Sequence, residues 1–406
     1  MLIADSFFMN ILVVHETEYL EKVIFEYQII PEIWASRGHK VYVLDFPNKW
    51  RRHHPLDFGS PRPEYLFKVK KANKRRGVTL IHPAMIKLPI LDRVSASISY
   101  FFLIPHLIKR YKIEVIYLLS VPTNGLQTVF WARRLRVPIY FRLLDVLHQL
   151  VPNRLLSWPT YLMEKIVYRR VDELTAVTPK LTQYAIRLGA KHYSATFLPT
   201  GSDADLFFPQ KKDQNLLKKY GLRRGDQIIL FAGTFYSFSG LDQLLRYFSK
   251  VKRRYPRLKF LLVGRGEQEK LLRQLIEKHQ LESCVILTGF VDYRELPRYI
   301  NLADICINPF QRNKITDIIF PSKIYQYRAC GKPVIATPLR GTLEIFPDNK
   351  GKNGVYYFSL RHPQEFFSLL EKIPRRTLKD TNPSLQQIAE QLQKQLAQLA
   401  EEARAS

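Results

Sequence analysis

Residues 317–344 read Asp-Ile-Ile-Phe-Pro-Ser-Lys-Ile-Tyr-Gln-Tyr-Arg-Ala-Cys-Gly-Lys-Pro-Val-Ile-Ala-Thr-Pro-Leu-Arg-Gly-Thr-Leu-Glu, and no other stretch restricts the fold so tightly. Pro321-Ser322 predicts a turn. Ile324, Tyr325 and Arg328 follow at helical spacing up to Gly331, which can take the positive φ of a helix C-cap. Pro333 cannot extend that helix, Val334-Ile335-Ala336 reads as a short buried strand, and Pro338 and Gly341 turn the chain into a new helix near Thr342. In a parallel sheet, such a unit brings two helix N-termini to one rim, where unpaired N–H groups suit an anionic ligand such as a diphosphate.

The rest of the chain alternates at the same pitch. Apolar runs at 10–15, 40–45, 78–82, 115–119, 137–142 and 172–178 read as strands, with helices over about 18–37, 92–111 and 158–171 and another ending at 136. Further strands are expected at 227–232, 258–263, 285–290, 305–308, 334–336 and 355–358, and Leu241, Leu244, Leu245, Phe248 and Val251 make one apolar helix stripe. This is the pattern of the α/β class, with two doubly wound, Rossmann-like parallel-sheet domains at 1–200 and 201–375. A C-terminal helical segment, 376–406, is expected to cross back to the first domain.

The run 321–336 resembles the donor-site signature of the large retaining glycosyltransferase family four, or group 1, whose members have the two-domain GT-B fold. Arg37-Gly38-His39 is similar to the turn that closes that family's first βαβ unit. The run 198–209, Leu-Pro-Thr-Gly-Ser-Asp-Ala-Asp-Leu-Phe-Phe-Pro, is similar to its interdomain linker. The resemblance implies an acceptor-binding domain at 1–200 and a donor-binding domain at 201–375, facing a cleft. It also implies retention, with a nucleoside diphosphate sugar as co-substrate and no cofactor. Asp203-Ala204-Asp205 spells the metal-binding Asp-x-Asp of a different glycosyltransferase fold, but it falls in the linker, so no metal site is expected.

Two loops depart from the family pattern. The loop after the first strand, 15–22, has no glycine to let backbone approach a phosphate and carries Glu16 and Glu18. In the loop 233–240, neutral residues near Thr234 and Ser239 stand where the family commonly has an arginine and a lysine. Stabilising a leaving diphosphate is worth several kcal/mol, so Lys323 is assigned that charge, aided by the N–H groups of Ser237, Ser239 and Gly240. Arg265, Arg312 and Arg340 are in reserve.

By the same resemblance Phe290 and Val291 read the base, while Asp317 and Gln326 stand at the two acidic positions near the ribose, where glutamine still offers a carbonyl acceptor. Ser322, Gly341, Thr342 and Glu344 complete the donor site. Asp145 and His148, at a strand's carboxyl end, are expected to face the donor sugar as catalytic groups.

Of 406 residues 46% are hydrophobic and 24% charged, which suits a folded chain of two or three domains. Lys and Arg (63) exceed Asp and Glu (36) by 27, mainly within 51–200, so anionic partners are favoured. The basic runs at 49–54 and 68–76 read either as a solvated face or as a dock for acidic lipid or an acceptor phosphate. Nucleic acid is not expected, because no aromatic stacking platform accompanies the charge.

No run reaches the ~20 apolar residues needed to cross a bilayer, and the first residues lack a basic-then-apolar signal. Cys284, Cys306 and Cys330 show no metal or redox spacing. These features predict a cytoplasmic protein, peripheral on the inner face of the membrane. The expected activity is transfer of a sugar to a glycan or lipid-linked acceptor in cell-surface polysaccharide or glycolipid synthesis. The rival is a catalytically weak nucleotide-sugar-binding partner subunit, motivated by Gln326 and the neutral loop.

Overall fold

The computed structural model describes residues 8–47, 58–72, 75–149, 151, 154–314, 316–348, 350–374, 378–379 and 381–405. The expected lipid-docking arginines Arg51 and Arg52 lie outside the described residues. The chain forms two compact units, one running to Thr200 and resuming at Leu385, the other Gly201–Ser384.

In the first unit the order is β1 (Asn10–Val14), α1 (Glu26–Ser36), β2 (Lys40–Leu44), β3 (Gly59–Ser60), β4 (Glu64–Val69), β5 (Val78–His82), β6 (Met85–Ile86) and α2 (Leu91–Arg110). It continues with β7 (Val115–Leu118), α3 (Gly125–Arg134), β8 (Ile139–Leu143), α4 (Arg154–Tyr168), β9 (Glu173–Ala176), α5 (Pro179–Arg187) and β10 (Ala195–Phe197). The sheet runs β10-β9-β8-β7-β1-β2-β5-β4. Every pairing in it is parallel except β4 with β5. Its central strands are apolar throughout because helices cover both faces: Ile11 to Val14 and Val115 to Leu118 are all buried. Thr178 starts α5 by accepting the Leu181 N–H at 3.1 Å, with Pro179 at the first helical position.

The first helix begins at Glu26 rather than near residue 18. The intervening backbone is bound elsewhere: the Tyr19 N–H donates to Asp45 Oδ2 at 2.8 Å, and Gln28 Nε2 donates to the Tyr19 carbonyl at 2.6 Å. Those contacts satisfy groups that a helix would otherwise pair.

The second unit contains α6 (Gln214–Lys219), β11 (Gln227–Ala232), α7 (Leu241–Val251), β12 (Leu258–Val263), α8 (Glu269–Lys278), β13 (Val285–Gly289) and α9 (Leu296–Leu302). After these come β14 (Ile305–Asn308), α10 (Lys323–Ala329), β15 (Val334–Ala336), α11 (Arg340–Ile345), β16 (Val355–Tyr357) and α12 (Gln364–Lys372). Its all-parallel sheet, β13-β12-β11-β14-β15-β16, reverses direction between β11 and β14. A doubly wound sheet binds ligands outside the carboxyl ends of its strands at that reversal. Leu241, Leu244, Leu245 and Phe248 of α7 enter the core with Phe231, Phe260 and Phe366.

The last helix, α13 (Leu385–Ala405), belongs to the first unit. The second unit extends to Ser384 rather than 375, and the final helix starts correspondingly later than 376. Leu385, Ile388, Leu392, Leu396 and Leu399 turn inward at helical spacing. Trp34 Nε1 of α1 donates to the Ala389 carbonyl at 2.8 Å, and the Tyr140 hydroxyl of β8 donates to Gln395 Oε1 at 2.7 Å.

Candidate functional site

At the reversal in the second sheet, β11 ends at Ala232 and the chain turns through Gly233, whose φ of +139° belongs to glycine. Beside it stands Lys323, the first residue of α10. One turn further along, Tyr327 fixes that helix against the strand: its hydroxyl oxygen accepts the Ala232 N–H at 2.7 Å. The Lys323 ammonium lies 3.9 Å from the centre of the Phe231 ring and 4.6 Å from that of Phe310, so two aromatic faces stabilise it. Burial pulls its pKa down to about 7. The result is a lysine held at the carboxyl-end rim of the sheet with no carboxylate among the described residues neutralising it.

Other groups gather at the same rim. Asn308 ends β14 fully buried, and neither end of its side-chain amide has a partner. Thr342, buried at the start of α11, likewise has an unpartnered hydroxyl. Buried polar atoms without partners are uncommon in folded proteins and mark places where a ligand or water completes the site. Gly240 has φ +68°, and a Cβ there would come within 2.0 Å of the Pro309 carbonyl. Gly341 is required too, since a Cβ on it would meet the Ile319 carbonyl at 2.6 Å.

Two of the N–H groups expected at the phosphate have partners within the chain. The Ser237 N–H donates to Glu267 Oε1 at 2.5 Å and the Ser239 N–H to the Tyr236 carbonyl at 2.9 Å, so both are already satisfied. The tip of α11 is occupied as well: Asp317 Oδ1 accepts the Arg340 N–H at 3.1 Å, and the Asp317 carbonyl accepts that of Gly341 at 2.9 Å. The Asp317 carboxylate also pairs with Arg312 Nε at 2.8 Å and Arg340 Nε at 3.2 Å. Two of the reserve cations are therefore committed to it. Arg265 is exposed, with its backbone carbonyl accepting the Phe235 N–H.

Beyond β13, Phe290 is 61% exposed and Val291 half-buried. Gln326 is hydrogen-bonded to the Tyr293 hydroxyl, whose pKa burial and then the nearby Asp203 raise. Ser322 is the N-cap residue of α10 and makes no side-chain capping hydrogen bond, and Glu344 is half-buried on α11.

In the first unit, Asp145 and His148 follow β8 but are held differently. Burial lifts the Asp145 carboxyl to about 7, which makes it a group able to hold or release a proton near neutrality. His148 Nδ1 lies 2.8 Å from Glu164 Oε2 and 3.0 Å from the Tyr184 hydroxyl, while Glu164 is wholly buried. A carboxylate on one ring nitrogen orients the imidazole and leaves the other to act.

At the carboxyl end of β1, where this sheet also reverses, His15 Nδ1 accepts the Thr17 N–H at 3.1 Å. Its other nitrogen is buried without a partner, and burial lowers the ring's pKa to about 4. Glu16 accepts the Thr123 N–H, and its carboxyl is raised by burial.

Gly233, Tyr327, Asn308 and His15 were not among the expected site residues. A position rule could have found three of them, since Gly233, Asn308 and His15 each end or follow a buried strand beside a reversal. Tyr327 has no such signal.

Residues 226–374 match the family model described as glycosyl transferases group 1, and residues 32–201 match that of the glycosyl transferase 4-like domain. The GDP-mannose-dependent alpha-(1-6)-phosphatidylinositol monomannoside mannosyltransferase of Mycolicibacterium smegmatis is 25% identical over 202 residues, 48% of this chain and 52% of that protein. A human phosphatidylinositol N-acetylglucosaminyltransferase component is 24% identical over 319 residues, 77% of this chain and 58% of that protein. The chain thus spans only about half the length of the curated relatives it matches. Among solved structures, Anabaena HepE in complex with UDP and glucose has TM-score 0.66 and 17% identity, covering 98% of this chain and 100% of that one, a likeness of fold. With one family model on each unit and two parallel sheets of this topology, the chain belongs to the family-four, group 1 glycosyltransferases of the GT-B fold.

Proposed function

We propose that this chain transfers a sugar, with retention, from a nucleoside diphosphate sugar to a hydroxyl of a lipid-linked or glycan acceptor. The observation that carries the reading is the position of Lys323, uncompensated by any carboxylate among the described residues and set beside Gly233 at the donor sheet's reversal. In the reaction the bond from the anomeric carbon to the diphosphate oxygen breaks and one to the acceptor oxygen forms. Negative charge grows on the departing diphosphate, which takes up the acceptor's hydroxyl proton. Lys323 in its ammonium form stabilises that charge.

Asn308 and Thr342 supply further hydrogen-bonding atoms, and Gln326, Phe290 and Val291 bind the nucleoside. Asp145 and His148 serve as the catalytic groups of the first unit. The donor acts as co-substrate with no added cofactor. These two relatives have phosphatidylinositol in their names, which supports an acceptor presented at a membrane; that the chemistry lies on the cytoplasmic side is part of the proposal.

The test is nucleotide release from a panel of UDP- and GDP-sugars, with and without phosphatidylinositol or polyprenyl phosphate acceptors. Acceptor-dependent release that falls about 100-fold in Lys323→Ala supports the enzyme. Binding without release from any donor favours the partner-subunit reading, which the occupied N–H groups of Ser237 and Ser239 also support.

A further inference from the structure

Helix α2 has two apolar faces. One, through Ala96, Tyr100, Ile104 and Leu107, is buried in the first unit. The other presents Leu91, Val94, Ile98 and Phe102, three and four residues apart and 47–69% exposed, with Ile90 ahead of them at 80%. A surface helix ordinarily turns one apolar stripe inward and shows polar side chains on the other. Ile90 also has a φ of +71°, a conformation that β-branched residues rarely hold. It is kept in a turn by the Asp92 N–H to the Leu88 carbonyl at 2.8 Å.

Apolar surface continues on both flanks. On one side a groove of about 770 Å³ is lined by Pro63, Tyr65, Met85, Ile86, Ile98 and Phe102. On the other, a hollow of about 440 Å³ lies among Phe101, Phe130, Val129 and Ile166, rimmed by Arg133 and Arg170. Contiguous apolar surface of this kind marks a contact with something else.

On the three helices α2, α3 and α4 the exposed charges among the described residues have one sign. The acidic residues of α2, α3 and α4 are Asp92 and Glu164, both buried. Arg93, Lys109 and Arg110 on α2, and Arg133 and Arg134 on α3, are exposed. A second copy of the same face would oppose cation to cation. An anionic bilayer suits it, with acidic headgroups for the rim and acyl chains for the stripe.

We propose that the outer face of α2, flanked by α3 and α4, docks on an anionic lipid bilayer. This surface involves the first unit alone and stands apart from the transferase reading. It is also distinct from the basic runs at 49–54 and 68–76.

The full chain is co-sedimented with vesicles of phosphatidylcholine alone and of phosphatidylcholine with phosphatidylglycerol. The wild type should bind the anionic vesicles, more weakly as salt rises. Ile98→Glu with Phe102→Glu should weaken binding roughly tenfold or more, and Lys109→Gln with Arg110→Gln by roughly fivefold per charge. Thermal melting and UDP binding should stay as in wild type, since all four side chains are exposed. Equal sedimentation of wild type and the Glu variant would overturn the proposal. So would binding indifferent to phosphatidylglycerol, or a concentration-dependent dimer abolished by the Glu variant without vesicle binding. Loss of nucleotide release in Lys323→Ala with vesicle binding intact leaves both readings standing. Absence of nucleotide binding by the wild type, with vesicle binding intact, removes the transferase reading alone.

Discussion

The Lys323 ammonium fills the space that a side chain would need at Gly233: its nitrogen is 2.7 Å from where a Cβ on that glycine would stand. The absence of a side chain at one residue is thus what admits the cation of the other. Gly233→Ala should push Lys323 aside and strain a backbone held at φ +139°, at about 1–3 kcal/mol. Affinity for the nucleoside diphosphate that the donor panel selects, measured by calorimetry, should fall about tenfold. Wild-type affinity in this variant would refute the coupling.

Burial sets Lys323 near pKa 7, and a bound diphosphate favours its charged form. Below that pH the free protein already carries the proton, so this lysine makes diphosphate affinity nearly flat. Above it, binding must take up a proton, and affinity should fall by up to about tenfold per pH unit. Calorimetry in buffers of different ionisation heat reads the uptake directly. Lys323→Met should abolish this lysine's share.

His15 is held neutral, with its pKa lowered by burial from 6.5 to about 4. The unfolded chain therefore binds a proton here that the folded chain refuses. The stability conferred by the neutral ring is complete above 6.5 and declines as pH drops toward 4, by roughly 3 kcal/mol in all. Urea denaturation at several pH values should show His15→Asn losing less than wild type across that window.

Arg142 and Glu26 form a buried pair, Nε to Oε1 at 2.6 Å, and Arg142 also donates to the carbonyls of Leu198 at 2.6 Å and Pro199 at 3.0 Å. Arg142→Met strands a buried carboxylate and two carbonyls. It should lower stability by about 3–5 kcal/mol, read from the urea midpoint of the first unit. A loss below about 1 kcal/mol would show that the pair is dispensable.

Leu392 is fully buried where α13 meets the first unit. Leu392→Ala should destabilise that unit by about 2–5 kcal/mol. The transition of the second unit should stay where it was, as differential scanning calorimetry can tell.

The sheets were legible because parallel strands covered on both faces leave unbroken apolar runs: residues 227–232 and 334–336 appear as strands where expected. The helix–strand–turn–helix unit was legible through Gly331, which takes φ +71°. The start of α1 was not, since Asp45 and Gln28 capture the Tyr19 backbone across the fold. Nor was the engagement of Ser237 by Glu267, thirty positions away in sequence. Lys323 could be named from its motif, but the aromatic rings of Phe231 and Phe310 that cradle it come from separate strand ends. Local pattern identifies which residues are chemically apt, whereas distant contacts decide which atoms remain available.

Because α13 completes the unit begun by β1, the ribosome releases the closing piece of that unit last. The intervening polypeptide, Gly201–Ser384, can reach its native state while the earlier half still lacks a leucine-lined helix against Trp34. A nonsense codon between residues 201 and 384 yields a nascent product that keeps Trp34 but lacks its covering helix, a substrate for chaperones rather than a shortened but serviceable protein.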